Sequence, residues 1–302
     1  MVEVLETSIA GLRLKHPVMN ASGILGSEPE HLEILAKQGF SALVSKTITL
    51  NPREGYPPPI IVELRNNGLL NAVGLANPGA RVIPVLARKA RELSKPLILS
   101  IGGSSVEEFV KLAELASEAG VDAVELNLSC PHAEGYGLEL GSDPMLVYRI
   151  VKDAVSVASL PVIAKLGLTD RVIESAGKAL EAGVKALTLI NTVKAMSIDV
   201  YTLKPVLSNK YGGLSGPPIH PIAVRVVYDV YREYRAEIIG VGGVSSWMDV
   251  AELILAGARA VQVGTALIWN ENIVDEILSG LHKWLIDLGY NSLMDLVGIA
   301  VM

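Results

Sequence analysis

KQGFSALV at residues 37–44, EAGVDAVEL at 118–126, EAGVKALTL at 181–189 and LAGARAVQV at 255–263 are four versions of one local pattern. In each, a helical stretch runs into a glycine (Gly39, Gly120, Gly183, Gly257) and a short apolar run follows. Glycine takes the left-handed backbone position that closes a helix. The apolar run, which lacks polar alternation, reads as a parallel strand buried on both faces. The copies are unevenly spaced, so the chain is no solenoid of fixed period. It is one helix-to-strand joint used repeatedly with connections of different length.

Working outward from these joints, eight strands are expected: Val18–Asn20, Ala42–Ser45, Leu97–Ile101, Ala123–Leu126, Val162–Leu166, Ala186–Ile190, Ile238–Val241 and Ala260–Val263. Helical periodicity fills Glu30–Gln38, Arg81–Leu93, Val106–Ala119, Pro144–Ala158, Arg171–Ala182, Pro221–Tyr234 and Trp247–Ala256. Eight βα units in this length point to a (β/α)8 TIM barrel. An open doubly wound sheet would use similar units. Glu3–Ser8 and Leu12–Lys15 flank an Ala-Gly turn and suggest an N-terminal β-hairpin capping one end. Asn272–Leu288 reads as a closing amphipathic helix. With no linker or low-complexity tract, residues 1–302 are read as one domain.

Composition removes several function classes. Hydrophobic residues are 50% and charged residues 19%, which excludes a disordered chain. A single cysteine excludes an internal disulfide framework and a multi-cysteine metal or iron–sulfur site, and no metal is expected. A net charge of −6 argues against general nucleic-acid binding. No apolar run reaches about 18 residues, so no membrane span is expected. The N-terminus lacks a signal-peptide core, and a cytoplasmic location is the expectation.

Three connections are long: roughly residues 47–80, 127–143 and 191–219. All leave the C-terminal ends of strands, the face on which barrel enzymes carry their chemistry. The seventh strand ends in Gly240-Val-Gly-Gly243 and the eighth in Val263-Gly-Thr-Ala266. Glycine turns in these two positions are the usual phosphate site of a barrel. Lys46 and Lys165 each close a strand. A lysine there is paired, for instance with Glu125, or it faces an anionic ligand, because an ammonium buried alone is costly. Asn20, Asn71, Asn127 and Asn191 cluster at strand ends and loops. Their amides suit a ring of alternating C=O and N–H groups, although single asparagines more often cap turns. Cys130, in Asn-Leu-Ser-Cys-Pro-His, is either an inert hydrophobe or a base. As a base it needs help to ionise at neutral pH.

These residues together resemble class 1 dihydroorotate dehydrogenases, most closely the class 1B catalytic subunit. The resemblance runs through Asn20-Ala-Ser-Gly, Ser45-Lys-Thr, Pro52-Arg-Glu-Gly, Asn71-Ala-Val-Gly-Leu-Ala-Asn-Pro-Gly, Asn127-Leu-Ser-Cys-Pro, Ala164-Lys-Leu, Ile190-Asn-Thr and Gly212-Gly-Leu-Ser-Gly. It continues through the two glycine turns. Their order at successive strand ends is specific where each alone is weak.

The resemblance implies FMN, one per chain, and oxidation of (S)-dihydroorotate to orotate in pyrimidine biosynthesis. It makes Cys130 the base at C5, with the hydride passing from C6 to flavin N5. It sets Lys46 against both substrate and flavin. Asn71, Asn127, Asn191 and Thr192 would hold the pyrimidine and its carboxylate, beside Ala72, Val73, Gly74 and Leu75. Lys165 would stabilise negative charge on the reduced flavin. Ser22, Thr47, Asn127, Ile190 and Gly216 would line the flavin, and Gly242, Gly243, Gly264 and Thr265 would cradle its phosphate. It further implies a homodimer of catalytic chains. A partner subunit carrying FAD and a 2Fe–2S cluster would complete a heterotetramer that passes electrons to NAD⁺.

The chain departs from the family pattern in three places. His132 stands where asparagine is usual, Ser100 where a flavin-contacting asparagine is common, and Lys165-Leu-Gly-Leu replaces Lys-Leu-Ser-Pro. Two other readings fit part of the pattern. One is an FMN barrel acting on a related dihydropyrimidine. The other is a barrel that binds phosphorylated ligands without redox chemistry.

Overall fold

The computed structural model describes residues 3–65, 67–129 and 138–302. Cys130 and His132 lie outside the described residues. The chain opens with a hairpin, β1 (Thr7–Ile9) and β2 (Leu12–Leu14), and enters the barrel at β3 (Val18–Asn20). Then come α1 (Pro29–Lys37), β4 (Leu43–Val44), β5 (Ile61–Glu63), β6 (Leu69–Asn71), α2 (Ile83–Glu92), β7 (Leu97–Ile101) and α3 (Val106–Ala119). The middle holds β8 (Ala123–Asn127), α4 (Leu138–Gly141), α5 (Pro144–Val157), β9 (Val162–Leu166), α6 (Val172–Glu181) and β10 (Ala186–Leu189). After β11 (Val193–Ala195), β12 (Ile198–Asp199), β13 (Lys204–Pro205) and β14 (Gly212–Ser215) come α7 (His220–Tyr234), β15 (Ile238–Val241), α8 (Trp247–Leu255), β16 (Ala258–Val263) and α9 (Ile273–Leu288).

The eight expected strands form one parallel sheet in the order β3-β16-β15-β10-β9-β8-β7-β4. That cyclic order is a (β/α)8 barrel, not an open sheet. All four joint glycines have positive φ: 90° at Gly39, 69° at Gly120, 106° at Gly183 and 121° at Gly257. Local capping fixes other helix ends. Ser105 accepts from Glu108 N–H at the start of α3, and Ser246 with Asp249 forms a capping box at α8.

The sheet ladder does not run between β3 and β4. Ser41 N–H donates to the Val18 carbonyl, and the Asn20 amide bonds both backbone groups of Val44. This seam closes the circle, so Asn20 belongs to the barrel wall and not to a ring-binding set.

Two apolar layers surround the strands. The outer layer packs Val18, Leu99, Leu126, Leu166 and Leu189 against the helices. The inner layer contains Met19, Val44, Ile98, Ile163 and Ile239, and the hairpin residues Ile9, Ala10 and Leu14 seal it from below. The N-terminal hairpin thus caps the barrel as expected, but it starts at Thr7. Glu3–Leu5 form a 3-10 turn instead.

The long connections at the mouth carry strands of their own. β11, β14, β6 and β5 form an antiparallel sheet over the C-terminal ends of the barrel strands. Two of the three long connections therefore pair with each other, Gly213 opposite Asn71.

Candidate active site

Strand register sets the chemistry inside the barrel. Glu125 on β8, Lys165 on β9, Thr188 on β10 and Gln262 on β16 interrupt apolar runs and meet in the interior. Glu125 is wholly buried. Its Oε2 accepts from Thr188 Oγ1 at 3.0 Å and from Gln262 Nε2 at 2.8 Å. Its Oε1 has no hydrogen-bond partner and lies 3.7 Å from Lys165 Nζ. Lys165 Nζ donates to Gln262 Oε1 at 2.9 Å and to Ser22 Oγ at 3.0 Å. Burial pushes the Lys165 ammonium's pKa down, and the Glu125 charge opposes that shift. Lys165 is therefore both an ion-pair partner and the floor of a cavity.

That cavity, of about 480 Å³, opens at the C-terminal mouth and contains Lys165, Ser22 and Gln262 in its wall. Its volume lies within the range of small-molecule sites. Lys46 and Thr47, after β4, line it together with Asn127 at the end of β8. Burial lowers the Lys46 pKa. Asn71, Val73, Gly74 and Leu75 enter from the mouth sheet and the segment that follows it. Ile190, Asn191 and Thr192 enter after β10. Gly216, Gly242, Gly243, Gly264 and Thr265 complete the lining.

The polar groups are held by one another. Asn127 Nδ2 donates to Thr47 Oγ1 at 2.9 Å, while its Oδ1 accepts from Ser129 Oγ at 2.9 Å. Asn191 Nδ2 donates to Ser129 Oγ at 2.8 Å, and its Oδ1 accepts from Thr192 N–H at 2.8 Å. Thr47 Oγ1 also meets Ser100 Oγ at 3.1 Å. Asn71 Nδ2 donates to the Gly213 carbonyl at 3.0 Å. One chain of bonds thus crosses from β7 to β10 and presets the side chains that face the cavity.

The dihydroorotate dehydrogenase family model matches residues 4–285. The chain belongs to the dihydroorotate dehydrogenase family. This is an oxidoreductase family whose members depend in general on flavin. An Aeropyrum pernix protein bearing the name dihydroorotate dehydrogenase A (fumarate) is 53% identical, over 98% of this chain and 97% of its own. The catalytic subunit of dihydroorotate dehydrogenase B (NAD⁺) from Thermoplasma volcanium is 46% identical, over 98% of each chain. The corresponding Pyrococcus abyssi subunit is 44% identical over 99% of each. In fold, the chain is similar to the crystal structure of the Eimeria tenella enzyme with ferulenol. The TM-score is 0.85 at 24% identity, covering 98% of this chain and 88% of the other.

Two residues named in the resemblance lie behind the cavity lining. Ala72 is fully buried and packs with Leu70 and Leu207 behind the wall, so it does not line the cavity. Ser100 is also fully buried and supports Thr47 instead of contacting the cavity. Gln262 was missed. A glutamine inside the strand run Ala-Val-Gln-Val is its signal, because a polar side chain there needs an interior partner. Ile24, Ile61, Val244 and Ile268 supply apolar wall that no motif marked.

Proposed function

We propose that this chain oxidises (S)-dihydroorotate to orotate with FMN bound at the barrel mouth. The observation that carries the reading is one cavity with two unlike kinds of lining. Lys46 and the amides of Asn71, Asn127 and Asn191 supply one, the glycine turns at Gly242–Gly243 and Gly264 supply the other, and Lys165 is part of the same lining. The residues present fit FMN. Gly243 lines the cavity at φ +70°, and a Cβ there would strike the Gly216 carbonyl at 2.8 Å, so this turn of the wall needs glycine. Lys165, buried, and Lys46, half-buried, place two lysines along the same cavity.

FMN, when bound, supplies the acceptor for the hydride that leaves C6 of the substrate. Cys130 takes the proton from C5, so one proton and one hydride leave and a C=C bond forms. Lys46 and the asparagine amides bind the carboxylate and the ring C=O and N–H groups. Lys165 balances negative charge beside the flavin. The preset hydrogen bonds among Thr47, Asn127, Ser129 and Asn191 orient the site before substrate arrives.

An anaerobic absorbance spectrum of the purified chain before and after dihydroorotate tests the reading. Prompt bleaching of a flavin band is expected. A band that dihydroorotate leaves unchanged would overturn the substrate, and comparison with dihydrouracil would separate a related dihydropyrimidine. In Cys130→Ala, flavin should remain bound while bleaching slows by about two orders of magnitude or more.

For the electron acceptor we favour the B form, with a homodimer of these chains joined to a partner subunit holding FAD and a 2Fe–2S cluster. The segments Asn71-Ala-Val-Gly-Leu and Asn191-Thr192, and the names of the Thermoplasma and Pyrococcus relatives, support it. The name of the Aeropyrum relative favours fumarate instead. Turnover of the isolated chain with fumarate would decide for that second reading. No helix among the described residues is long and apolar enough to cross a membrane.

A further inference from the structure

Behind the Gly242–Gly243 turn stands a histidine to which the proposed reaction gives no part. His220 opens α7 and is buried. Its Nδ1 lies 2.8 Å from the Gly242 carbonyl oxygen, which can only accept, so Nδ1 donates. Its Nε2 faces two carboxylates on α8, Glu252 Oε2 at 3.0 Å and Asp249 Oδ1 at 3.7 Å. The ring is thus held from both sides, by the Gly242 carbonyl on one and by Glu252 of α8 on the other.

The consequence falls on the turn. The Gly242–Gly243 peptide is trans, so its C=O and N–H point in opposite directions. A carbonyl pinned to His220 sends the Gly243 N–H the other way. The turn is also packed closely against α7. A Cβ on Gly243 would lie 2.7 Å from His220 Cβ and 2.9 Å from its backbone nitrogen.

We propose that His220 is a positioning residue for the anion-binding turn. Held between Glu252 and the Gly242 carbonyl, it fixes the Gly242–Gly243 peptide with its N–H toward the phosphate of FMN. This rests on the reading that the turn binds that phosphate.

The test titrates flavin-free protein with FMN and with riboflavin, the same ring without a phosphate, and follows flavin fluorescence. His220→Ala should weaken FMN about tenfold and leave riboflavin within about twofold, as for loss of one buried hydrogen bond. His220→Asn keeps an N–H at the place of Nδ1 and should recover most of the FMN affinity. Glu252→Gln removes the carboxylate at the surface and should weaken FMN about threefold with riboflavin unchanged. Should the alanine variant fail to fold, the asparagine and glutamine variants decide.

Equal losses for both ligands, or FMN affinity unchanged by His220→Ala or Glu252→Gln, would overturn the role of His220. Equal wild-type affinity for FMN and riboflavin would instead overturn the phosphate reading, and binding of neither would overturn the flavin reading. In both cases the proposal falls with it.

Discussion

The Asn20 side chain does for Val44 what a neighbouring strand does elsewhere in the barrel. Its Nδ2 donates to the Val44 carbonyl at 2.7 Å, and its Oδ1 accepts from the Val44 N–H at 2.8 Å. Both residues are wholly buried. Asn20→Ala leaves two backbone groups without partners in a site closed to water. Each such orphan costs about 1–3 kcal/mol. Urea unfolding should show a loss of about 2–4 kcal/mol. A loss below about 0.5 kcal/mol would mean that β3 and β4 can close the seam without the amide.

The interior ion pair gives a second expectation. Lys165→Met removes the ammonium facing Glu125 and strands a wholly buried carboxylate. Breaking one half of a buried pair costs about 3–5 kcal/mol. The double variant Lys165→Met, Glu125→Gln should recover part of that loss, because no buried charge remains. Denaturation midpoints of the wild type, both single variants and the double variant measure the coupling. Strictly additive losses would show that the pair is not energetically linked.

How much of this was legible beforehand depends on how far apart the partners lie along the chain. The joint glycines are local, and Gly39, Gly120, Gly183 and Gly257 were readable as helix ends before any topology was known. Glu125 and Lys165 were readable as a pair because both interrupt apolar strands and need partners. The mouth sheet was not. Its strands are three or four residues long, and Asn71 meets Gly213 across 142 positions, so no local pattern announces the pairing. Asn20 illustrates a different limit. An amide at a strand end has the same sequence appearance whether it faces a ligand or a strand that lacks a ladder. Ala72 shares its segment with Asn71 and Val73, yet side-chain alternation along that segment turns it into the wall.

Gly243→Ala tests the cradle itself. The residue sits at φ +70°, and an added Cβ would meet backbone at the Gly216 carbonyl (2.8 Å) and the His220 nitrogen (2.9 Å). Neither obstacle is the free end of a side chain. The turn must open, costing about 1–3 kcal/mol of stability. The purified variant should carry much less FMN than the wild type, measured as flavin released on heating per chain. Full flavin content would remove the glycine turn from the binding site.

The last expectation concerns acid stability and His16, far from the mouth. Its Nδ1 accepts from the Val18 N–H at 3.3 Å and its Nε2 faces the Gly39 carbonyl at 3.1 Å, so the neutral ring fits both partners. Burial lowers its pKa to about 4; the Gly39 carbonyl opposes the shift, and Lys95 and Lys15 add to it. The folded value lies below the ordinary 6.5, so between these pH values the unfolded chain holds the proton and the folded chain does not. Stability from this group is therefore complete above pH 6.5 and is lost as pH falls toward 4. A shift of this size corresponds to about 3 kcal/mol. His16→Gln cannot titrate. Unfolding free energies measured from pH 4 to 7.5 should show the wild type losing more stability on acidification than the variant, with the difference confined to that window. Parallel curves would mean that His16 takes up its proton without unfolding the barrel floor.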